Sequence, residues 1–254
     1  MSTQPCAIVT GATSGIGRAA AMRLAQEGLA VVAVGRNTSA LAEVEAAITG
    51  AGGACAPVQA DVVTDEAPGH VVSAAVQAYG GVDALVNAAG IIASAALEGT
   101  DDEAWDRMMD INVRAPFRLM RAAAPHLIAR RGAVVNVSSV AGLRSFPGIL
   151  SYAVSKAAVD QLTRCSALEL APRGVRVNAV NPGVVVTELH RRGGMNEQQY
   201  AAFLERTRET HPLGRPGTVD EVAELVAFLA TSRSAWVTGE TIAIDGGRHL
   251  TCAR

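Results

Sequence analysis

Seven short apolar runs, separated by longer stretches with helical spacing, constrain this chain more than any other feature. The runs fall at 6–10, 30–34, 54–59, 82–86, 133–137, 175–180 and 241–244. The helical stretches lie near 16–28, 38–50, 65–79, 101–130, 152–171 and 219–231. A run that is apolar throughout, instead of at every second residue, predicts a strand buried on both faces. Helices on both sides of a sheet provide that burial, and strand–helix alternation predicts right-handed βαβ crossovers and a parallel sheet. The expected fold is α/β: a doubly wound parallel sheet of about seven strands with helices on both faces.

Composition narrows the class. The chain has 254 residues, 49% hydrophobic, with a formal charge of −2 and few aromatics. Its length suits one α/β unit, so 1–254 is expected to be a single domain. No Pro/Ser-rich linker, repeat or low-complexity tract interrupts it. No basic stripe predicts nucleic acid as a partner, and no apolar run approaches a membrane span. Arg130-Arg131 and Arg191-Arg192 are isolated pairs. The four cysteines, Cys6, Cys55, Cys165 and Cys252, are scattered, with no zinc or redox spacing, so no metal is expected. They read as reduced thiols of a cytoplasmic protein. The opening Met-Ser-Thr-Gln-Pro has neither the basic region nor the apolar core of a signal peptide.

After the first run comes Thr10-Gly11-Ala12-Thr13-Ser14-Gly15-Ile16-Gly17. Glycines permit a tight turn and close backbone approach, and the helix that follows offers free N–H groups to a pyrophosphate. The spacing is Gly-x-x-x-Gly-x-Gly, but the turn opens the first βα unit, where mononucleotides bind. A Rossmann-type dinucleotide site is therefore expected. The second run ends at Gly35-Arg36, where an NAD site would place a carboxylate for the ribose 2′-OH. An arginine there suits a 2′-phosphate, so NADP(H) is favoured and NAD(H) stands as the alternative. Asp61-Val62 ends the third run; Asp61 either accepts from an adenine amino group or caps the next helix. Asn87-Ala88-Ala89-Gly90 ends the fourth, where small residues leave room for a dinucleotide across the sheet edge.

Ser151-Tyr152-Ala153-Val154-Ser155-Lys156 opens a helix on which Tyr152 and Lys156 share one face. An ammonium beside a phenol is expected to lower its pKa and equip it for acid/base chemistry. Upstream, Asn136-Val137-Ser138-Ser139 ends the fifth run and brings a serine hydroxyl to the same edge. Asn112, in the long helix before it, either orients Lys156 through a water or is an ordinary core amide.

In this order, the Gly11–Gly17 turn, Asn87-Ala88-Ala89-Gly90, Asn112, Ser139, Tyr152-x-x-x-Lys156, Asn181-Pro182-Gly183, Thr238-Gly239 and Asp245-Gly246-Gly247 resemble the short-chain dehydrogenase/reductase family, in its branch of about 250 residues. The resemblance spans almost the whole chain and is nearest in kind to 3-oxoacyl-[acyl-carrier-protein] reductases. It implies a catalytic tetrad of Asn112, Ser139, Tyr152 and Lys156, with Lys156 also holding the nicotinamide ribose. It places Pro182, Gly183 and Val185 against the nicotinamide and Thr187 on its carboxamide or the adjacent phosphate. It implies interconversion of a secondary alcohol and a ketone, with Tyr152 as acid/base and a small-molecule substrate. The alternatives within its reach are an NAD-linked alcohol or sugar dehydrogenase and a non-catalytic dinucleotide-binding regulator. Enoyl reductases of the broader family space their tyrosine and lysine farther apart.

The irregular stretch at about 184–215 is expected to form a substrate lid, with a helix within 196–210. Ile91 to Ala95, Leu143, Phe146, Ile149 and Leu150 are candidate pocket walls, and Tyr200 and Phe203 candidate covers. Arg144, His190 and Arg191 are candidate anchors for an acidic substrate, or else solvated loop residues. The resemblance also implies a homodimer or homotetramer, paired through the stretches 101–130 and 152–171 and again through the final helix and strand. The tail from 248 to 254 is placed to reach a neighbour's site.

Overall fold

Alternate side chains of each central strand enter two different cores, and this alternation sets the architecture. The computed structural model describes residues 4–251. Its strands are β1 (Cys6–Thr10), β2 (Ala30–Gly35), β3 (Cys55–Gln59), β4 (Ala84–Asn87), β5 (Ala133–Val137), β6 (Arg176–Pro182) and β7 (Thr241–Ile244). The helices are α1 (Gly15–Gln26), α2 (Thr38–Gly50), α3 (Ala67–Tyr79), α4 (Asp102–Met109), α5 (Ala115–Arg130), α6 (Val140–Leu143), α7 (Leu150–Leu170), α8 (Leu189–Arg192), α9 (Glu197–Glu205), α10 (Thr207–Thr210) and α11 (Val219–Ala230). The seven strands form one parallel sheet in the order β3-β2-β1-β4-β5-β6-β7.

Ala7 and Val9 of β1 pack with Leu24 of α1, Val44 of α2 and Val226 of α11. Cys6 and Ile8, pointing the other way, pack with Val71 of α3, Leu119 of α5 and Leu170 of α7. The same period of two runs through Val31, Ala33 against Val32, Val34 in β2, so helices cover both faces of the sheet. β1, β2 and β4 are buried throughout, as their composition predicts. β3 and β7 are only partly buried, against the expectation of full burial, because each has a neighbour on one side alone.

The expected long helix at 101–130 is interrupted. α4 and α5 are joined by a π-helical turn, Asp110–Arg114, in which the Ala115 N–H reaches back to the Asp110 carbonyl. Pro116 explains the break, since it has no N–H to give the carbonyl of Asn112 four residues earlier. The expected helix within 196–210 also divides, into α9 and α10 on either side of Arg206. Capping boxes start α9 at Asn196/Gln199 and α11 at Thr218/Glu221. Because the strands are parallel, β1, β2, β4, β5 and β6 all end on one edge, and α7 begins beside it.

Candidate active site

The cleft along that edge has a volume of about 580 Å³, within the range of about 300–1,000 Å³ common for ligand sites. The glycine turn forms its floor. Gly11 has φ +66°, and a Cβ there would lie 2.9 Å from the Ala89 nitrogen; one on Gly17 would lie 2.3 Å from the Gly11 carbonyl oxygen. Only backbone fits at either contact. Thr10, not singled out from sequence, locks this geometry: its hydroxyl accepts from the N–H groups of Ala88 (3.1 Å) and Ala89 (3.2 Å). Ser14 caps α1 without a side-chain bond, and no acidic residue stands in the first turn. The free N–H groups of Gly15, Ile16 and Gly17 and the positive helix end therefore face the cleft, as a pyrophosphate requires.

Thr13, Arg36, Asp61 and Val62 line one end of the cleft. Gly35 carries no side chain because a Cβ would meet the Thr13 methyl at 2.5 Å. Arg36 is exposed, lies 3.7 Å from Asp61, and precedes α2, whose first turn holds no acid. Asn37 caps that helix by accepting from the Ala40 N–H. A cation beside an uncompensated helix N-terminus is a receptor for a phosphate group.

At the other end, Ser139, Tyr152 and Lys156 line the cleft with Pro182, Gly183, Val185 and Thr187. The Ser139 side chain stands close enough to the Tyr152 phenol to act on its pKa. The Ser139 Oγ also accepts from the Ala141 N–H at 3.1 Å. Lys156 Nζ donates to the Val137 carbonyl at 2.8 Å and lies 5.7 Å from the Tyr152 ring centre. Burial lowers the Lys156 pKa to about 8, against the pull of the Asp160 carboxylate. Burial also raises the Tyr152 pKa, opposed by the Ser139 side chain. The expected lowering by Lys156 is thus overturned here: loss of hydration outweighs an ammonium whose hydrogen bond goes to a backbone carbonyl.

Asn112 is buried behind the cleft wall. Its Oδ1 accepts from the Ile91 N–H at 2.9 Å, and its Nδ2 lies 3.0 Å from both the Ile91 carbonyl and Ser155 Oγ. Ser155 in turn donates to the Tyr152 carbonyl at 2.7 Å. Gly90 makes room for this clamp, since a Cβ there would lie 3.2 Å from Asn112 Oδ1 and 3.6 Å from Lys156 Nζ. Asp160, also missed from sequence, accepts from Asn181 Nδ2, which donates to the Ser139 carbonyl as well.

Several expected roles change. The Asn87 side chain turns into the sheet and donates to Asn136 Oδ1 at 2.8 Å, so Ala88, Ala89 and Gly90 line the cleft without it. Ile91, Ile92, Ser94, Phe146 and Ile149 are wall residues, but Leu143 and Leu150 are not. Phe203 lines the cleft, whereas Tyr200 is buried and its hydroxyl donates to the Thr187 carbonyl and accepts from the Thr187 N–H. Arg191 is neutralised by Glu188 and Glu197 and stacks on Tyr200. Arg144 is spent on the carbonyls of His249 and Thr251. Burial lowers the His190 pKa, leaving a neutral ring instead of a cationic anchor. Cys252 and the end of the tail lie outside the described residues. Arg192, in sequence only one half of an isolated basic pair, donates to Ser14 Oγ at 3.1 Å and so carries a cation from α8 to the glycine turn. Among the described residues, no cluster of His, Cys, Asp or Glu is arranged to hold a metal ion, and no helix is long and apolar enough to cross a membrane.

Comparison with known proteins agrees with this geometry. Residues 11–249 match a family model described as enoyl-(acyl carrier protein) reductase. The chain is 40% identical, over 94% of its length and 96% of the relative's, to the 3-oxoacyl-[acyl-carrier-protein] reductase FabG of Thermotoga maritima. It is 39% identical, over 96% and 93% of the two lengths, to 3beta-hydroxysteroid dehydrogenase 1 of Eggerthella lenta. A short-chain dehydrogenase/reductase from Caenorhabditis elegans, solved with cofactor, superposes with a TM-score of 0.91 at 34% identity, covering 98% of this chain and 96% of that one. The chain belongs to the short-chain dehydrogenase/reductase family. As a member it is an oxidoreductase of CH–OH and carbonyl groups that uses a nicotinamide dinucleotide.

In this family member the Gly11–Gly17 contact should be indispensable to the dinucleotide. Gly17→Ala should weaken NADPH binding at least about tenfold, the scale of 1.4 kcal/mol. Fluorescence titration of NADPH checks this; an unchanged dissociation constant would mean the turn does not hold the pyrophosphate.

Proposed function

We propose that the protein interconverts a secondary alcohol and a ketone with NADP(H), Tyr152 acting as acid/base. The observation that carries this reading is that Ser139, Tyr152 and Lys156 are all buried and line the same cleft wall. When bound, the dinucleotide supplies or accepts the hydride. In reduction, Ser139 and Tyr152 hold the carbonyl oxygen, and Tyr152, kept protonated by burial, gives it a proton. Lys156 then neighbours the phenolate and stabilises it. Asn112, held by Ser155 and Ile91, supports this arrangement, and a water on it would return the proton by way of Lys156. In oxidation the proton steps reverse.

The segment 184–215 serves as the lid: Arg192 ties it to the glycine turn, and Tyr200 fixes Thr187 beside the cleft. Phe117 on α5, Leu168 on α7 and Trp236 before β7 are exposed by 43%, 80% and 99%, which favours a homodimer or homotetramer paired on the long helices and on the β7 edge. A cytoplasmic setting suits the free thiols Cys6, Cys55 and Cys165. Burial raises the Cys6 and Cys55 pKa values to about 12 and about 11, which leaves both inert at neutral pH.

Three outcomes test the reading. Tyr152→Phe should keep NADPH affinity and lose at least about 100-fold in carbonyl reduction, measured as NADPH consumption; retained turnover refutes the role. Lys156 carries its charge below about pH 8 and loses it above. If the ammonium is required, kcat/KM for reduction falls as pH rises through that value; a profile flat well beyond it removes Lys156 from the chemistry. Arg36→Asp should shift the ratio of NADPH to NADH affinity at least about tenfold toward NADH, the scale of one charge-assisted hydrogen bond; an unchanged ratio overturns the NADP(H) preference.

A further inference from the structure

The substrate end of the cleft contains a cation that the steps above do not use. Arg248 follows β7, is partly buried and lines the cleft together with Tyr152. Its guanidinium lies 4.8 Å from the centre of the Phe146 ring, and Phe146 packs in the same apolar cluster as Tyr152. One aromatic ring therefore belongs both to the cluster that holds Tyr152 and to the stack that holds the guanidinium.

The guanidinium has little on the protein to satisfy it. Its Nη1 donates to Thr210 Oγ1 at 2.9 Å, and among the described residues no carboxylate is in ion-pair contact with it. Asp245, the nearest acid on its own segment, accepts from the Gly247 and His249 N–H groups and from the His249 ring. His211, packed beside Thr210, is held neutral by burial and by Arg248 itself. Burying part of a guanidinium is costly unless an anion compensates. The cleft residues packed with Tyr152 are apolar: Ile91, Ile92, Phe146 and Ile149.

We propose that Arg248 is a substrate-binding residue, and that the substrate class is an oxo acid or hydroxy acid whose carboxylate pairs with it across a short apolar segment. The planar fork of the guanidinium suits a carboxylate, and its stacking on Phe146 fixes the plane in which that carboxylate lies. This assignment rests on the carbonyl-reductase reading and makes it specific. It also relocates the anionic anchor, since Arg144, His190 and Arg191 are all unavailable for the purpose.

The test uses chain-matched probes that do not react: hexanoate, hexanol and hexylamine, titrated calorimetrically into the full-length protein with and without NADPH. Hexanoate should bind at least about tenfold more tightly than hexanol, as one charge-assisted hydrogen bond implies, and hexylamine least well. Arg248→Met should abolish the preference for hexanoate while leaving hexanol and NADPH affinities unchanged; Arg248→Lys should keep part of it. A wild-type protein that binds hexanoate no better than hexanol, or an Arg248→Met variant with the preference intact, overturns the assignment. NADPH that fails to bind the wild type in the same titrations counts against the reductase reading instead, and the probe series without NADPH still decides the role of Arg248. Should Arg248→Met fail to fold, Arg248→Gln, which keeps the bond to Thr210, carries the same comparison.

Discussion

Everything at this site depends on backbone meeting backbone where β1 and β4 end. β1 is flanked by β2 on one side and β4 on the other, so the connections diverge at that point and a crevice opens above it. Gly11 and Gly17 let the turn close at distances that admit no side chain, and the Thr10 hydroxyl gathers the next two N–H groups of the β4 exit. The first turn of α1 is thereby aimed into the crevice with its N–H groups unspent. A single Cβ at this contact would push the helix, the β4 exit or both away from the cleft. The remaining features of the site, including the position of Gly90 against Asn112 and Lys156, are measured from this fixed point.

The wall that carries Ser139, Tyr152 and Lys156 is built by a second constraint, the hydrogen bonding of polar groups that the sheet has forced out of water. Asn112, Ser155 and the Tyr152 carbonyl form one chain; Asp160, Asn181 and the Ser139 carbonyl form another. A buried polar group is tolerated when its partners are in place, and the same partners then hold the reactive hydroxyls in register. Gly142 belongs to this network for a steric reason: a Cβ there would lie 2.4 Å from the Asp160 carboxylate. Burial also sets the resting protonation: it raises the Tyr152 pKa and lowers that of Lys156 to about 8, so the phenol is held neutral beside an ammonium that gives up its proton more readily than in water.

Much of this was legible in the sequence because it is local. Apolar runs located all seven strands, and Asn37 and Thr218 stand where helices α2 and α11 begin. The glycine turn and the four-residue spacing of Tyr152 and Lys156 declare themselves within a few residues. The π turn was harder to see, since its cause is the relation between Pro116 and the Asn112 carbonyl within a stretch that otherwise reads as helix. What stayed hidden was pairing across distance. Nothing near Arg191 in its hydrophobic pattern announces that Glu188 and Glu197 will neutralise it, or that Arg144 will be spent on the tail more than a hundred residues away. Asn87 sits in a motif of small residues, yet its partner Asn136 comes from the neighbouring strand.

The distribution of charge ties the two ligands of the cleft together. The whole chain is slightly acidic, with a formal charge of −2, yet Arg36, Arg107, Arg192 and Arg248 all line the cleft. Against them stand Asp61, loosely paired with Arg36, and Glu188, paired with Arg191 outside the lining. A crevice with low-dielectric walls concentrates such an excess, so the positive potential is a property of the site and not of the surface as a whole. Three of these cations stand where a different anionic group would come to rest: Arg36 beside the N-terminus of α2, Arg192 at the glycine turn, and Arg248 on the Phe146 ring. An anionic dinucleotide alone accounts for the first two. Arg248 lies at the far end, beside the residues that would handle the carbonyl, and the field there selects among substrates instead of cofactors.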